Sequence, residues 1–557
     1  MSFTGKKWII KNCDSDSGVI NKLLANRDLG TDEKRRRFFE GGLENQYDPF
    51  LLKGMRKAVE RIQKAVADGQ KIMVFGDYDV DGITSTVLLY SFFKKIGADA
   101  DYTLPSRHDD GYGLKKHFIE EFAKKGIGLL VTVDCGTTSA DEVERANQLG
   151  MDVVVTDHHT LPEELPKAFA LINPKQPDCM YPNKDISGAG IAYKLVAALA
   201  PFYLQPKEAS DYLFKELSLV ALGLIADCVP LTGENRILAK WGLRSIKEGS
   251  NPGLMALLES AKVPVERVNS TTIGFIIGPR LNAAGRLDTP RHAFELLLGK
   301  VEKAEELSEL NSRRQNILQK DLKEAKADVL KKDEMPNIIA VSNPDWHIGT
   351  IGLIAGKLTE VFHRPAIAMQ DKGEELVASC RSLNDFDITA FLREVTGDLF
   401  TAFGGHKLAG GFTLPKKNLE EFLKRVETAA KEKIDISGFL PALPIDCEIA
   451  PHELTFETTK QIAKLEPFGH GNPEPTLMIS GVQIQTIRPV GQTGEHLQFP
   501  VRCGDLSFPA IAFRFGQHLG KINAEDKYDI AFNLEINEWK GYKKLQMKVV
   551  DMKLSEL

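Results

Sequence analysis

Four acidic clusters in the first half of the chain have the residue types of a metal centre: Asp77-Tyr78-Asp79-Val80-Asp81-Gly82, then Asp134, then Asp157-His158-His159, then Asp227. Three of the four follow apolar runs that read as buried strands. Gathering so many carboxylates at strand ends is costly unless cations neutralise them. The pattern predicts bound divalent metal and hydrolytic chemistry on phosphate. Carboxylates with few imidazoles favour Mn²⁺ or Mg²⁺ over zinc or copper.

Asp79 and Asp81 would share a face in a strand; in a tight loop they can grip two neighbouring cations. Gly82 frees the backbone to turn. The chain is helix-compatible from Ile83, so amides at that helix start could face an anion. The string resembles a calcium loop, but Leu88 stands where that loop has its bidentate Glu. Adjacent His158 and His159 point to different sides, so one can ligate metal while the other faces substrate. Asp227 follows the apolar residues 220–226 and needs a cation or a full set of donors.

To converge, these residues need a scaffold that joins distant stretches. From about residue 51 the pattern is α/β. Residues 55–67 read as an amphipathic helix leading into the apolar run 72–76. Residues 83–95 and 140–149 read as helices, and 128–133 and 152–156 as strands. Short apolar strands alternating with helices predict a parallel sheet covered on both faces. Ligands in such sheets sit at the carboxyl ends of the strands, where Asp77, Asp134 and Asp157 fall.

Residues 291–333 are charged, Leu-rich and free of proline, which predicts one or two long helices acting as a solvated connector. A second α/β unit starts at Ile338, with a helix at 348–358, a strand at 365–369 and a helix at 415–432. Gly404-Gly405-His406 reads as a glycine-rich turn that lets a ligand approach the backbone. Residues 465–473 form a turn-rich hinge. Alternation at 482–487, 509–515, 530–536 and 545–550 predicts short strands in a small barrel. The expected division is an arm at 1–50, a metal-bearing domain at 51–290, a connector helix at 291–335, a substrate-binding domain at 336–435 and the barrel at 436–557.

At 557 residues the chain is long enough for several domains. A net charge of −6 gives no global basic field, so nucleic acid would have to be met by local stripes of Lys and Arg. The opening MSFTGKKWIIKN has no long apolar core and no small-residue cleavage site, which predicts no signal peptide. No stretch approaches the ~20 apolar residues of a membrane span, and no membrane partner is expected. Seven cysteines without a CxxC pair argue against a zinc knuckle and a disulfide framework. A reduced, cytoplasmic setting fits. No GxxxxGK[ST] string is present, which fits hydrolysis without a nucleoside triphosphate.

The strings GDYDVDG, VTVDCGTT, VTDHH, SGAGIAYKL, ALGLIADCVPL and GPRLNAAGR occur in that order. They resemble the DHH phosphoesterase superfamily, and more closely its single-strand-specific exonuclease branch. HIGTIGLIAGKL, ASCRS and AFGGHKLAGGF resemble that family's second catalytic domain, and LEPFGHGNPEP with the β-rich tail resembles its OB-fold region. The resemblance implies an α/β fold of two α/β domains, the first with a parallel sheet, joined by a long helix and followed by a C-terminal OB-type β-barrel. It implies two divalent cations, Mn²⁺ or Mg²⁺, with Asp79, Asp81, Asp134, His158 and Asp227 as ligands and Asp134 a candidate bridge. Asp77 is either a ligand or a carboxylate behind one. Asp157 would orient the histidine pair. His159 would contact the scissile phosphate or protonate the leaving oxygen.

The implied activity is 5′-to-3′ removal of 5′-mononucleotides from single-stranded DNA, in recombination and repair. Ser379 and Arg381 would then take the 5′-phosphate, for which Arg offers a bidentate contact. Arg107 and Arg280 are further phosphate candidates, and Gly404, Gly405 and His406 line the approach. His406 is either a substrate contact or a structural cap. Trp539, Lys540, Tyr542, Lys543 and Lys544 combine aromatic and basic groups, which fits strand contact or an ordinary exposed hairpin. The implied partners are single-stranded DNA, single-strand-binding protein and a helicase, met by a monomer. Two other readings fit the superfamily: cleavage of very short oligonucleotides or cyclic dinucleotides, and a scaffold without metals. The β-rich tail speaks against the first, and retention of every carboxylate against the second.

Overall fold

The computed structural model describes residues 2–11, 18–107, 110–111, 113–383, 386–439, 441–539 and 541–556. The chain forms two compact units: Gly42–Ile434 with Gly469–Gly471, and Met1–Gly41 with Asp435–Phe468 and Asn472–Leu557.

The larger unit is built on a five-stranded parallel sheet. Its strands lie in the order Ala100–Thr103, Lys71–Phe75, Ile127–Val133, Asp152–Thr156 and Ala170–Ile172. The central strands are apolar on both faces because both faces are covered. Ile72, Val74, Leu129 and Val131 pack into the core beneath the Met55–Ala67, Val80–Lys95, Gly188–Leu199 and Pro206–Ala226 helices. Their neighbours Met73, Phe75 and Leu130 point the other way, against Phe118 and Phe122 of Lys116–Lys124 and Val143 of Ala140–Gln148. Strand order reverses beside Lys71–Phe75. Connections leave in opposite directions there and open a crevice at the carboxyl ends. Asp77 and Asp134 follow the two strands that flank it.

The Lys303–Leu330 helix is not merely a solvated connector. Ala304 and Leu307 are buried in the first core, while Ala325 and Val329 pack with Ile339, Trp346, Ile351 and Leu358 of the second. The second sheet has five strands in the order Ala402–His406, Ala409–Pro415, Glu375–Arg381, Ala366–Asp371 and Ile339–Asn343. Only the last pair is parallel. The expected turn at Gly404-Gly405-His406 is therefore corrected: all three lie in an edge strand, with Gly404 opposite Gly411 and Gly405 opposite Gly410. Glycines pack poorly in a strand but mark places where another backbone or a ligand comes close.

The smaller unit is a seven-stranded sheet from Cys447–Glu448 to Arg488–Val490. Leu477–Ile484 also pairs with His496–Cys503, which closes the sheet on itself as a barrel. Its inward residues include Ile479, Leu497, Phe499, Val501, Tyr528 and Phe532. Lys7–Ile10 pairs in parallel with Ala442–Ile445, and Val19, Leu23 and Leu24 enter this core. Lys543 and Lys544 line a hollow of about 780 Å³ with Arg488 and Phe508. Lys540 lies outside the described residues. No helix among the described residues is long and apolar enough to cross a membrane.

Candidate metal centre

The loop after Lys71–Phe75 becomes the start of the Val80–Lys95 helix. Asp79 caps it, its Oδ1 accepting from the Gly82 amide at 3.0 Å. Gly82 cannot carry a side chain, because a Cβ would lie 2.6 Å from the Asp77 backbone. Asp81 then falls in the first helical turn and points into the crevice. Its carboxylate accepts from the Gly188 amide at 2.6 Å and the Ala189 amide at 3.0 Å. Those amides open the Gly188–Leu199 helix, whose N-terminus favours negative charge. The SGAG string is thus the cradle of Asp81. Gly188 is also obligatory at this spot: a Cβ there would stand 2.6 Å from Asp134 Oδ1.

Asp134 sits in the left-handed region, with φ of 60°. Such a conformation is strained for a non-glycine residue and persists where surroundings enforce it. Asp227 ends the Pro206–Ala226 helix. A carboxylate at a helix C-terminus meets the negative end of the dipole and gains from a cation.

Asp77, Asp79 and Asp134 bring ligand atoms within 4.8 Å of one another, as do Asp81, His158 and Asp227, and again Asp134, His158 and His159. His158 Nε2 lies 3.1 Å from Asp134 Oδ1, 3.6 Å from Asp227 Oδ2 and 3.8 Å from Asp81 Oδ2. Asp77 Oδ1, Asp134 Oδ1 and His158 Nε2 are buried without hydrogen-bond partners among the described residues. Buried polar atoms are normally paired. Burial pushes Asp77 up to about 8, helped by the Asp79 charge. Burial and Asp79 likewise raise Asp81 to about 6. Burial, Asp81 and Asp79 raise Asp227 to about 8, and burial with the same neighbours lifts Asp134 well above the carboxylate range. Burial lowers His158 to about 3, so its imidazole is neutral, the form that ligates metal. Unpaired lone pairs, crowded carboxylates and a neutral imidazole are the donor set that hard divalent cations take.

Asp157 behaves differently. Burial opposes its charge, yet His159 and three amides hold it below the usual range. Its Oδ1 accepts from the His158 amide at 2.7 Å and the His159 amide at 3.1 Å, and its Oδ2 from the Thr137 amide at 2.9 Å. His159 Nδ1 lies 2.7 Å from Asp157 Oδ1. Burial disfavours the imidazolium, but the bond to Asp157 outweighs it and raises His159 to about 9. One histidine of the pair is thus neutral and the other cationic.

A basic cluster adjoins the centre. Arg107 stacks over the Tyr78 ring at 4.0 Å, and its charge acts on Asp77. Burial, with Arg107, Arg314 and Arg381 around it, depresses Arg286 to about 9, which still leaves it cationic at neutral pH. Arg286 donates to the Gly349 carbonyl at 3.0 Å, at the start of the Ile348–Phe362 helix. Ser379 and Arg381 share a face of Glu375–Arg381, and Arg381 Nη1 donates to Ser379 Oγ at 3.1 Å. A Cβ on Gly352 would come within 3.1 Å of Arg381 Nη2 and 3.2 Å of Ser379 Oγ. Ser379, Gly411 and Gly404 lie side by side across three strands, as do Arg381, Ala409 and His406. The glycines therefore form a bare strip beside the Ser379–Arg381 pair. His406 is exposed at the strip's end.

The sequence model of the DHH family, N-terminal domain, matches residues 71–224, that of the DHHA1 domain 335–432, and that of the RecJ OB domain 445–551. The chain is 35 % identical to the single-stranded-DNA-specific exonuclease RecJ of Escherichia coli, over 95 % of this chain and 94 % of that one. The chain belongs to the RecJ family. It is also 33 % identical to the Bacillus subtilis RecJ, over 99 % of this chain and 71 % of the relative. The crystal structure of Thermus thermophilus RecJ with Mn²⁺ matches at a TM-score of 0.83 and 28 % identity, over 100 % of this chain and 80 % of that one. The same protein with Mg²⁺ matches at 0.78 and 27 %. Both ions suit the donor set described above.

Several groups around the centre carried no independent signal in the sequence. Arg286 closes the GPRLNAAGR string, in which Arg280 alone stood out as a phosphate candidate, and Arg314 sits in the 291–333 run that read as a connector helix. Asn173, fully buried, donates to the His159 carbonyl at 3.0 Å and to Thr137 Oγ1 at 3.2 Å. The small-residue run after Ser187 was the available hint of amides offered to an anion.

Proposed function

We propose that this protein is a metal-dependent exonuclease that removes 5′-mononucleotides from the 5′ end of single-stranded DNA. The observation that carries the reading is the set of buried, unpartnered donors on Asp77, Asp134 and His158 at the sheet's reversal point. Asp77, Asp79, Asp81, Asp134, His158 and Asp227 hold Mn²⁺ or Mg²⁺, which when bound supply Lewis acidity and an activated water for phosphodiester hydrolysis.

The remaining work falls to the chain itself. His159, kept cationic by Asp157, donates from Nε2 to a phosphate oxygen or to the departing 3′-oxygen. Arg107 and Arg286 offset charge on the phosphate run. Ser379 and Arg381 take the terminal phosphate, and the glycine strip lets the strand lie against backbone. The barrel receives the strand on Lys543, Lys544, Arg488 and Phe508. We assign residues 51–290 and 336–435 to catalysis and substrate end-binding, and 436–557 to strand binding. The protein acts in the cytoplasm as a monomer, on strands exposed by a helicase and covered by single-strand-binding protein, in recombination and repair.

The test is one digestion series with 5′-labelled, 3′-labelled and duplex DNA, each with EDTA, Mg²⁺ or Mn²⁺. Labelled mononucleotide should appear first from the 5′ label, only with metal and only from unpaired strands. Early release from the 3′ label refutes the polarity.

A further inference from the structure

The Ser270–Thr272 turn runs into a π-helix, Ile273–Ile277, which continues as the Gly278–Leu287 helix. Pro279 explains the irregularity. It has no N–H to give the Phe275 carbonyl, and the Gly278 amide bonds instead to the Ile273 carbonyl. Such π turns recur at functional sites. The inner side of this one is fixed: Ile273 and Ile277 are fully buried. A Cβ on Gly274 or Gly278 would stand 3.8 Å from Ile225 or Ala226, the last residues of the helix that delivers Asp227.

The outer side carries Phe275, at 79 % the most exposed large apolar side chain among the described residues. Isolated exposed apolar residues are ordinary. The surroundings of this one are not. Arg280 reaches back to donate to the Ile276 carbonyl at 2.8 Å, and its Nε is buried without a partner among the described residues. Arg314, on the Lys303–Leu330 helix, also has a buried, unpartnered Nε, and the Arg280 charge acts on it. One guanidinium is thus held on the carbonyl of the residue that follows the bare ring, and a second is close enough to repel it. A flat ring with fixed cations suits a base and its phosphates, since every base offers a π-face.

We propose that Phe275 is a stacking platform for one nucleobase of the bound strand, with Arg280 and Arg314 neutralising neighbouring phosphates. This deepens the single-strand reading above and rests on it. The full-length protein and its F275A and F275W variants are compared on a 5′-phosphorylated oligonucleotide and on versions with one abasic position moved along it. Binding is read in EDTA by quenching of 2-aminopurine at each position. F275A should raise KM about tenfold or more, with a smaller change in kcat, and F275W should restore it. One abasic position should reproduce the defect in the parent protein and have no further effect in F275A. A 2-aminopurine profile identical in F275A and the parent protein overturns the platform and leaves the nuclease reading standing. An F275A loss that is equal at every abasic position and accompanied by a lower thermal midpoint also overturns it. If the parent protein neither binds nor degrades single strands, both readings fail together.

Discussion

His158 Nε2 stands 3.1 Å from Asp134 Oδ1, and both atoms are buried without a hydrogen-bond partner among the described residues. A neutral imidazole could donate across that gap, but Asp227 and Asp81 crowd the same nitrogen. The arrangement makes sense when a cation takes the shared space. Asp134→Asn tests this without disturbing the backbone, since Asn tolerates the left-handed conformation that Asp134 adopts. It should cut Mn²⁺ affinity and single-strand hydrolysis by more than the ~10–100-fold typical of a group that only supports a ligand. In EDTA the variant should unfold at a higher temperature than the parent protein, because folding no longer has to protonate a buried carboxyl that is ionised in the unfolded chain. Calorimetric titration with Mn²⁺ and thermal scans in EDTA measure both.

The pH dependence of the metal-free protein follows from the same crowding. Folding raises Asp81 to about 6 and Asp77 and Asp227 to about 8, while unfolded aspartates titrate near ~3.9. Between those limits the folded state binds more protons, so stability falls as pH rises. The loss begins above the unfolded value and is complete past the highest folded one. With saturating Mn²⁺ the carboxylates stay ionised and paired, and their part of the decline should vanish, leaving the smaller loss that raised His159 brings above its unfolded value. Thermal midpoints from about pH 5 to about pH 8.5, in EDTA and in Mn²⁺, should diverge steadily. A flat EDTA curve would show that the carboxylates do not repel one another as the geometry requires.

Much of this site was legible in the residues. Strand ends could be placed because Lys71–Phe75, Ile127–Val133 and Asp152–Thr156 are apolar on both faces, a pattern that only a doubly covered sheet produces. Asp77, Asp134 and the His158–His159 pair follow directly. The glycine strip misled, because Gly404 and Gly405 signal freedom without saying whether a turn or a close approach uses it. Arg286, although it ends the GPRLNAAGR string, does not stand out there, for another reason. An arginine in a helix has the same local pattern whether it faces water or a phosphate, and only the packing of Gly349 against it shows the difference.

Asp157 accepts from the Thr137, His158 and His159 amides and lies 2.7 Å from His159 Nδ1, and so fixes both histidines. Asp157→Ala removes the acceptor for the His158 and His159 amides and for His159 Nδ1. The expected result is a ~10–100-fold loss of Mn²⁺ affinity or turnover, with substrate KM changed less. Asp157→Asn keeps one acceptor oxygen and should lie between. Equal activity of Asp157→Ala and the parent protein would remove its positioning role.

Gly188 links two of the proposed metal ligands through one small atom. A Cβ there meets Asp134 Cβ and Oδ1 at 2.6 Å, and the same residue's amide holds Asp81 at 2.6 Å. Gly188→Ala must therefore push the helix start away from both aspartates. Overpacking of this kind costs ~1–3 kcal/mol. Denaturant unfolding should show that loss, and hydrolysis should fall further than stability does, because Asp81 and Asp134 separate.

The strand Glu375–Arg381 gives the last test. Arg381 is largely buried, and burial together with Arg107 lowers its pKa from the usual guanidinium value. A largely buried cation whose side chain, among the described residues, donates only to Ser379 Oγ and the Cys380 carbonyl retains donors for an anion. Hydrogen bonds to charged groups are worth ~1.5–3 kcal/mol. Arg381→Ala should then raise KM about 10- to 100-fold on 5′-phosphorylated strands, and much less on 5′-hydroxyl strands. Arg381→Lys should recover only part, since a point charge cannot reproduce the planar fork. Ser379→Ala should show the same substrate preference with a smaller size. Equal effects on both 5′ ends would place the pair in general strand binding, and an effect on kcat alone would place it at the scissile bond.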